Sequence, residues 1–141
     1  MKVSGKKATC LIAFSLIVVL FACILAPIAN ARSSKYITAY SANMTASNNG
    51  NVTVAFSITG TGKMTEIGST KITIYENGTL VKTYLSSNTT GMMGKDKATH
   101  SGTVTYTGVK GRTYMANVIF KSGNSSGSDN RNLDTNSVNA K

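Results

Sequence analysis

Residues 52–59 read VTVAFSIT, and this stretch decides the fold. Its apolar residues, from Val52 to Ile58, stand at every second position, which is the period of a β-strand that buries one face. Six further segments have strand-like composition, and no window of helical length carries an apolar stripe of period 3.6. They are residues 36–46, 72–74, 80–85, 98–107, 114–120 and 130–135. The sequence therefore predicts an all-β chain of about seven strands.

Turn-forming residues separate the predicted strands. Residues 48–51 and 76–79 each contain the Asn-Gly pair that is typical of tight hairpins. The other expected interruptions are a break at Gly60-Thr61-Gly62, a long loop over 86–94, a turn at 108–112, a Gly/Ser loop over 122–129 and a frayed tail from about residue 136.

Short strands at this regular spacing fit a β-sandwich. Residues 111–114 read GRTY and precede an alternating apolar run. This is similar to the start of strand F in immunoglobulin-like and fibronectin-like domains, where a tyrosine hydroxyl hydrogen-bonds back to the backbone. We therefore predict one immunoglobulin-like sandwich over residues 32–141, with a small β-barrel as the alternative.

Residues 1–31 have the order of a secretory signal peptide: basic, then apolar, then small residues before a cleavage site. Three lysines lie near the start, Cys10–Leu25 is almost entirely apolar, and residues 26–31 read APIANA. Cleavage after Ala31 predicts a secreted protein that meets the membrane only through this segment. The alternatives are a lipoprotein processed at Cys23 or an uncleaved anchor, either of which keeps the protein membrane-attached.

Removing residues 1–31 from the 141 leaves 110, which suits a single domain. Both cysteines, Cys10 and Cys23, leave with that segment. The mature domain therefore has no disulfide, and its apolar core must stabilise it alone. Export without disulfides fits Gram-positive bacteria better than a eukaryotic secretory pathway.

The mature domain is basic, because removal of Lys2, Lys6 and Lys7 leaves twelve Lys and Arg residues against five Asp and Glu. A positive surface favours anionic partners such as wall polymers, acidic glycans or acidic phospholipid. The lysines are scattered and form no run that resembles a nucleic-acid patch, so we expect no nucleic-acid partner. Lys95 and Lys97 are the candidates for contact with an anionic polymer.

Catalytic groups are scarce. His100 is the one imidazole, Asp96 lies just upstream, and no Gly-x-Ser-x-Gly elbow is present. Glu66 has no evident partner for two-carboxylate glycoside hydrolysis. Residues 129–134 lack the EF-hand pattern, and one His without Cys cannot form a zinc site. We expect no enzyme activity, metal or cofactor, and a hydrolase using His100 or Glu66 is an alternative.

Five methionines stand in the mature domain, and Met92 and Met93 lie between two glycines of the long loop. Methionine fills irregular gaps in cores and also forms adaptable binding surfaces. Met64 and one of the loop pair either close an end of the sandwich or, with exposed loops, form an apolar rim. Met64, Glu66, Met92 and Met93 are therefore candidate ligand contacts.

Several short motifs occur together over residues 34–131. They are Val54-x-Phe56, residues 60–68 (GTGKMTEIG), Ile72-x-Ile74-Tyr75-Glu76, Gly91-Met92-Met93-Gly94, Gly111-x-x-Tyr114 and Gly127-Ser128-Asp129. On these motifs the chain resembles a family of small secreted proteins of Gram-positive, largely clostridial, bacteria. The resemblance implies an exported immunoglobulin-like domain without catalysis, and it carries no site residue over.

The sequence favours a secreted, non-catalytic module that binds the cell envelope or its surroundings. The expected partner is a cell-wall polymer, a glycan or a surface protein. A small secreted toxin or bacteriocin-like effector is the alternative outside the enzyme class, because size and positive charge are compatible with it.

Overall fold

The computed structural model describes residues 34–141, which form nine β-strands and no helix. The signal segment and its predicted cleavage site lie outside the described residues. Within residues 34–141, no helix is long and apolar enough to span a bilayer. The strands are β1 (Ile37–Ala46), β2 (Asn51–Met64), β3 (Glu66–Glu76), β4 (Thr79–Leu85), β5 (Met93–Gly94), β6 (Lys97–Thr107), β7 (Thr113–Asn124), β8 (Gly127–Asp134) and β9 (Val138–Asn139).

The strands form two antiparallel sheets. The first has the order β1-β2-β6, and the second has the order β4-β3-β7-β8, with β5 added to β3 and β9 added to β7. The sheets do not close on each other, so the small barrel is not formed. The arrangement is all-β and consistent with the predicted β-sandwich. Seven of the nine strands are seven residues or longer, and these correspond to the seven predicted segments.

The core lies between β2 of the first sheet and β7 of the second. Val52 to Ile58 are buried at alternate positions as predicted, and residues 114–120 of β7 alternate in the same way. The rings of Phe56 and Phe120 meet edge to face with centroids 6.3 Å apart, and Tyr40 of β1 lies 5.3 Å from Phe120. Aromatic pairs of this kind add packing energy beyond the area that they bury. These ring contacts join the two sheets.

Three expected interruptions are wrong. Gly60-Thr61-Gly62 does not end the second strand, which continues to Met64 with an irregular register after Thr59. The loop expected over 122–129 is a tight hairpin, in which β7 pairs with β8 as far as Asn124 and Gly127. The error arises because strands can pair through their backbones without apolar side chains. Ser122, for example, is buried in β7, and its hydroxyl is satisfied by donating to the carbonyl of Tyr36 at 2.8 Å.

The frayed tail expected from residue 136 is the third error. Val138 and Asn139 pair with Tyr114 and Thr113 of β7. The backbone of Ala140 then exchanges hydrogen bonds with the 108–112 turn, and its side chain is buried. The end of the chain therefore packs beside the start of β7.

Tyr114 occupies the predicted corner before β7. Its hydroxyl accepts a 2.8 Å hydrogen bond from the backbone N–H of Val109 and donates to the carboxylate of Glu76. The side chain is fully buried. Burial and, second, the bond to Glu76 raise the pKa of the Tyr114 hydroxyl, so the group stays protonated and keeps donating. The predicted hydroxyl-to-backbone bond is confirmed, and it ties β3, the 108–112 turn and β7 together.

Replacing Tyr114 by Phe should lower the free energy of unfolding by about 1–3 kcal/mol, because it leaves the Val109 N–H and the Glu76 carboxylate without their partner. Tyr75→Phe is the matched control, since the Tyr75 hydroxyl makes no hydrogen bond within residues 34–141. Urea denaturation measures both variants. Equal stability of the two variants would show that the Tyr114 hydroxyl contributes nothing beyond its ring.

Candidate functional site

The candidate contact residues lie at the end of the sandwich where β2 turns into β3. Strand pairing places Met64 opposite Lys97 and Gly68 opposite Met93. Gly68 permits this approach, because a Cβ there would lie 2.2 Å from the carbonyl oxygen of Met92 and its φ is +154°. The N–H of Ser69 also donates to that carbonyl at 2.8 Å. The long loop is therefore held against β3.

Met64 and Met92 close this end of the core and are not ligand contacts. Their side chains are only 3% and 1% exposed. The expectation that they touch a ligand is wrong, because each fills the gap that remains where the two sheets end, a role suited to a flexible side chain. Met93 is half-buried and keeps part of its surface free. The apolar rim therefore reduces to one methionine.

Glu66 is exposed and forms an ion pair with Lys121 of β7, with 2.7 Å between the carboxylate oxygen and Nζ. The hydrogen bond from Lys121, and next its charge, lower the pKa of the Glu66 carboxyl. Sequence reasoning missed Lys121, because the pairing depends on the register of β3 with β7, which brings Glu66 opposite Gly123. A carboxyl group whose pKa is lowered by an ion pair is poorly suited to act as a general acid.

Three exposed lysines, Lys63, Lys95 and Lys97, lie at the same end of the sandwich, and we call them the lysine end. Lys63 adjoins Met64, which pairs with Lys97, and the charge of Lys95 is felt at Glu66. None of the three forms an ion pair with a carboxylate of residues 34–141. The site therefore presents positive charge to solvent, and the contact of Lys95 and Lys97 with an anionic polymer stays a prediction.

A shallow depression of about 260 Å³ adjoins the lysine end. It is lined by Lys97 and His100 of β6 together with three hydroxyl side chains: Ser57, Thr99 and Ser101. The Nε2 of His100 lies 2.8 Å from the carbonyl oxygen of Gly91 and donates to it, while the ring packs 6.2 Å from Phe56. This donor bond fixes the loop to β6 and sets the ring tautomer, so Nδ1, which lies beside Gly94, is the nitrogen with the free lone pair.

The described residues suggest no other chemistry at this end. No group of three or more His, Cys, Asp and Glu side chains comes together within residues 34–141. Cationic and hydroxyl groups on an open surface can attract and hydrogen-bond an anionic, hydroxyl-bearing ligand.

Comparison with protein-family models, with curated proteins and with solved structures finds no match for the chain. The resemblance to small secreted Gram-positive proteins therefore stays a prediction.

Truncation distinguishes the two adjacent methionines. Met92→Ala should lower the free energy of unfolding by about 2–4 kcal/mol, because it opens a cavity at a fully buried position. Met93→Ala is the matched control and should cost about 1 kcal/mol or less, since Met93 is already partly solvated. Thermal or urea unfolding measures both. A reversed order would place Met93, not Met92, in the core.

Proposed function

We propose that this protein is an exported, non-catalytic binding module that holds an anionic cell-envelope polymer at its lysine end. The observation that carries the proposal is the grouping of Lys63, Lys95 and Lys97, without carboxylate partners in the described chain, beside a depression lined by hydroxyl groups. Polymers with regularly spaced phosphate or carboxylate groups and free hydroxyls match this combination.

We also infer that the sandwich is immunoglobulin-like. If the seven long strands are lettered A, B, C, C′, E, F and G in chain order, the sheets contain A-B-E and C′-C-F-G. Immunoglobulin-like sandwiches divide their strands between two sheets in a closely similar way. The Tyr114 hydroxyl bond lies at the E–F corner, which is where that class places its tyrosine corner.

Export is the second part of the proposal and rests on residues 1–31. The basic, apolar and small-residue order supports cleavage after Ala31 and release from a Gram-positive cell. Ser34, the first of the described residues, donates its hydroxyl to Asp129 at 2.6 Å. Cleavage after Ala31 would keep Ser34, and with it this contact, in the mature chain.

N-terminal sequencing of protein secreted by a Gram-positive host should give a chain that starts at Arg32. Ala31→Phe should block processing, because the position before the cut requires a small residue. Cys23→Ser is the control and should leave the start unchanged. A lipid-modified chain that starts at Cys23 would replace this proposal by membrane attachment.

The absence of catalysis is proposed because the two candidate groups are already engaged. His100 donates to Gly91, and the carboxylate of Glu66 is paired with Lys121. Among residues 34–141, neither group is hydrogen-bonded to a hydroxyl that could act as a nucleophile. A hydrolase would need either release of Glu66 from Lys121 or a nucleophile brought to Nδ1 of His100.

Binding to immobilised poly(glycerol phosphate) tests the lysine end directly. Retention of the secreted protein should fall as the salt concentration rises from about 50 to about 500 mM, since screening weakens exposed charge interactions. The triple variant Lys63→Gln, Lys95→Gln and Lys97→Gln should weaken binding about tenfold or more at low salt.

The matched control removes the same charge elsewhere: Lys71→Gln, Lys110→Gln and Lys141→Gln, all at exposed positions. It should weaken binding by about threefold or less, because only the long-range attraction changes. Equal losses in the two triple variants would mean that net charge, and not the lysine end, holds the polymer.

A further inference from the structure

The outer face of the β1-β2-β6 sheet carries only short, uncharged side chains. Its outward positions, within residues 39–45, 53–59 and 99–105, form four rows of three, and we call them the hydroxyl face. Six are Thr, three are Ser, two are Ala and one is Asn. Ten of the twelve are exposed, and Thr53 and Thr59 are half-buried. Nine hydroxyl groups therefore stand on one solvent-facing surface of a chain whose formal net charge is +10.

The register between the strands makes the rows regular. Ser57 lies opposite Ser41 on one side and Ser101 on the other, and Thr53 lies between Thr45 and Thr105. The hydroxyl oxygens of Thr53 and Thr105 are 3.0 Å apart and hydrogen-bond to each other. The backbone positions that carry these side chains are about 5 Å apart across the strands and about 7 Å apart along them.

The surface is open and slightly hollow. Two shallow depressions flank Ser57: the one of about 260 Å³ on the β6 side and another of about 100 Å³ on the β1 side. Threonine is restricted at χ1 by its branched Cβ, so its hydroxyl and methyl groups are largely ordered before a ligand arrives. Binding therefore costs little side-chain entropy.

The chemistry of the hydroxyl face excludes most partner classes. Its twelve outward residues include no cation for a polyanion and no Trp, Tyr or Arg of the kind that dominates protein interfaces; Lys97 and Tyr40 line only the edges of the two depressions. Three strands by four rows cover roughly 400 Å², about half of what each partner buries in a standard protein interface. The flat surface of a crystalline solid is also a poor match for the hydroxyl face, because adjacent strands twist by about 20–25° relative to each other.

We propose that the hydroxyl face binds a neutral polysaccharide chain. Sugar hydroxyls both donate and accept hydrogen bonds, as the Ser and Thr hydroxyls do, and the threonine methyl groups can contact the C–H faces of the sugar rings. A flexible polymer chain follows the twist of the sheet, and an uncharged surface matches an uncharged ligand. This site adjoins the lysine end, with which it shares the depression beside Lys97, and differs from it in ligand charge.

Affinity electrophoresis of the secreted protein tests this, in gels that contain dextran, soluble β-1,3-glucan, mannan or hydroxyethylcellulose. We expect at least one polymer to retard the wild-type protein, and the retardation to persist when the salt concentration is raised. Thr103→Glu and, separately, Ser41→Glu should each weaken this binding at least fivefold, because each places a charge and a longer side chain on the hydroxyl face.

Thr79→Glu is the matched control, since Thr79 is exposed on β4 of the other sheet. It should bind as the wild-type protein does, and all three variants should keep the wild-type circular dichroism spectrum. Persistence at high salt separates this site from the lysine end, whose binding disappears there.

Three results would overturn the proposal. One is that no polymer retards the wild-type protein. Another is that both face variants are retarded as strongly as Thr79→Glu. The third is self-association, seen by analytical ultracentrifugation, that Thr103→Glu abolishes, because it would assign the face to a second copy of the chain.

Discussion

The contact between the inner faces of β2 and β7 is the interaction on which the other features depend. Residues 34–141 contain no cysteine, so apolar burial joins the sheets without a covalent link. Phe56 and Phe120 lie at its centre, where their rings meet edge to face. Each buried apolar side chain of this size contributes about 1.5–3 kcal/mol by its removal from water. That burial holds the two strands face to face, and the pairings within each sheet build outward from them.

The two ends of the sandwich are closed by different chemistry. At one end the Tyr114 hydroxyl joins the Val109 backbone and Glu76, so a buried polar group is satisfied by hydrogen bonds. At the other, Met64 and Met92 fill an irregular gap by shape alone. The methionine end is also where the free lysines gather, because strand ends and short turns leave long side chains in solvent. Closure by buried methionines thus leaves positive charge, and not an apolar rim, as the exposed feature of this end.

The strands that sequence reasoning predicted well are those in which alternation comes from Val, Ile and Phe, such as residues 52–58. It failed where a strand is made of polar residues. Ser69 and Ser122 are fully buried, but their hydroxyls bond to backbone carbonyls, a compensation that no apolar period indicates. The candidate site was predicted only in part for a related reason. The charges of Lys95 and Lys97 can be read directly from the sequence. The pairing of Glu66 with Lys121 cannot, because it depends on the register between β3 and β7. The burial of Met92 cannot either, because it depends on the close approach that Gly68 permits.

The hydroxyl face follows from the same alternation that builds the core. Because successive side chains of a strand point to opposite faces, burial of Val54 and Phe56 sends Ala55 and Ser57 outward. Pairing on both sides of β2 then adds Ser41 and Ser101 to the row of Ser57. If one of these strands shifted by one residue in register, its hydroxyl-face residues would turn inward and its core residues outward. The lost burial would cost more free energy than the stability of a domain this size. The regular rows are therefore as firmly determined as the core itself. Their restriction to Ala, Ser, Thr and Asn is not, because an exposed strand position accepts aromatic residues as well as Thr and also admits charged ones, although less often. That restriction lies in the choice of residues and not in the geometry, and it is the reason to assign this surface a ligand.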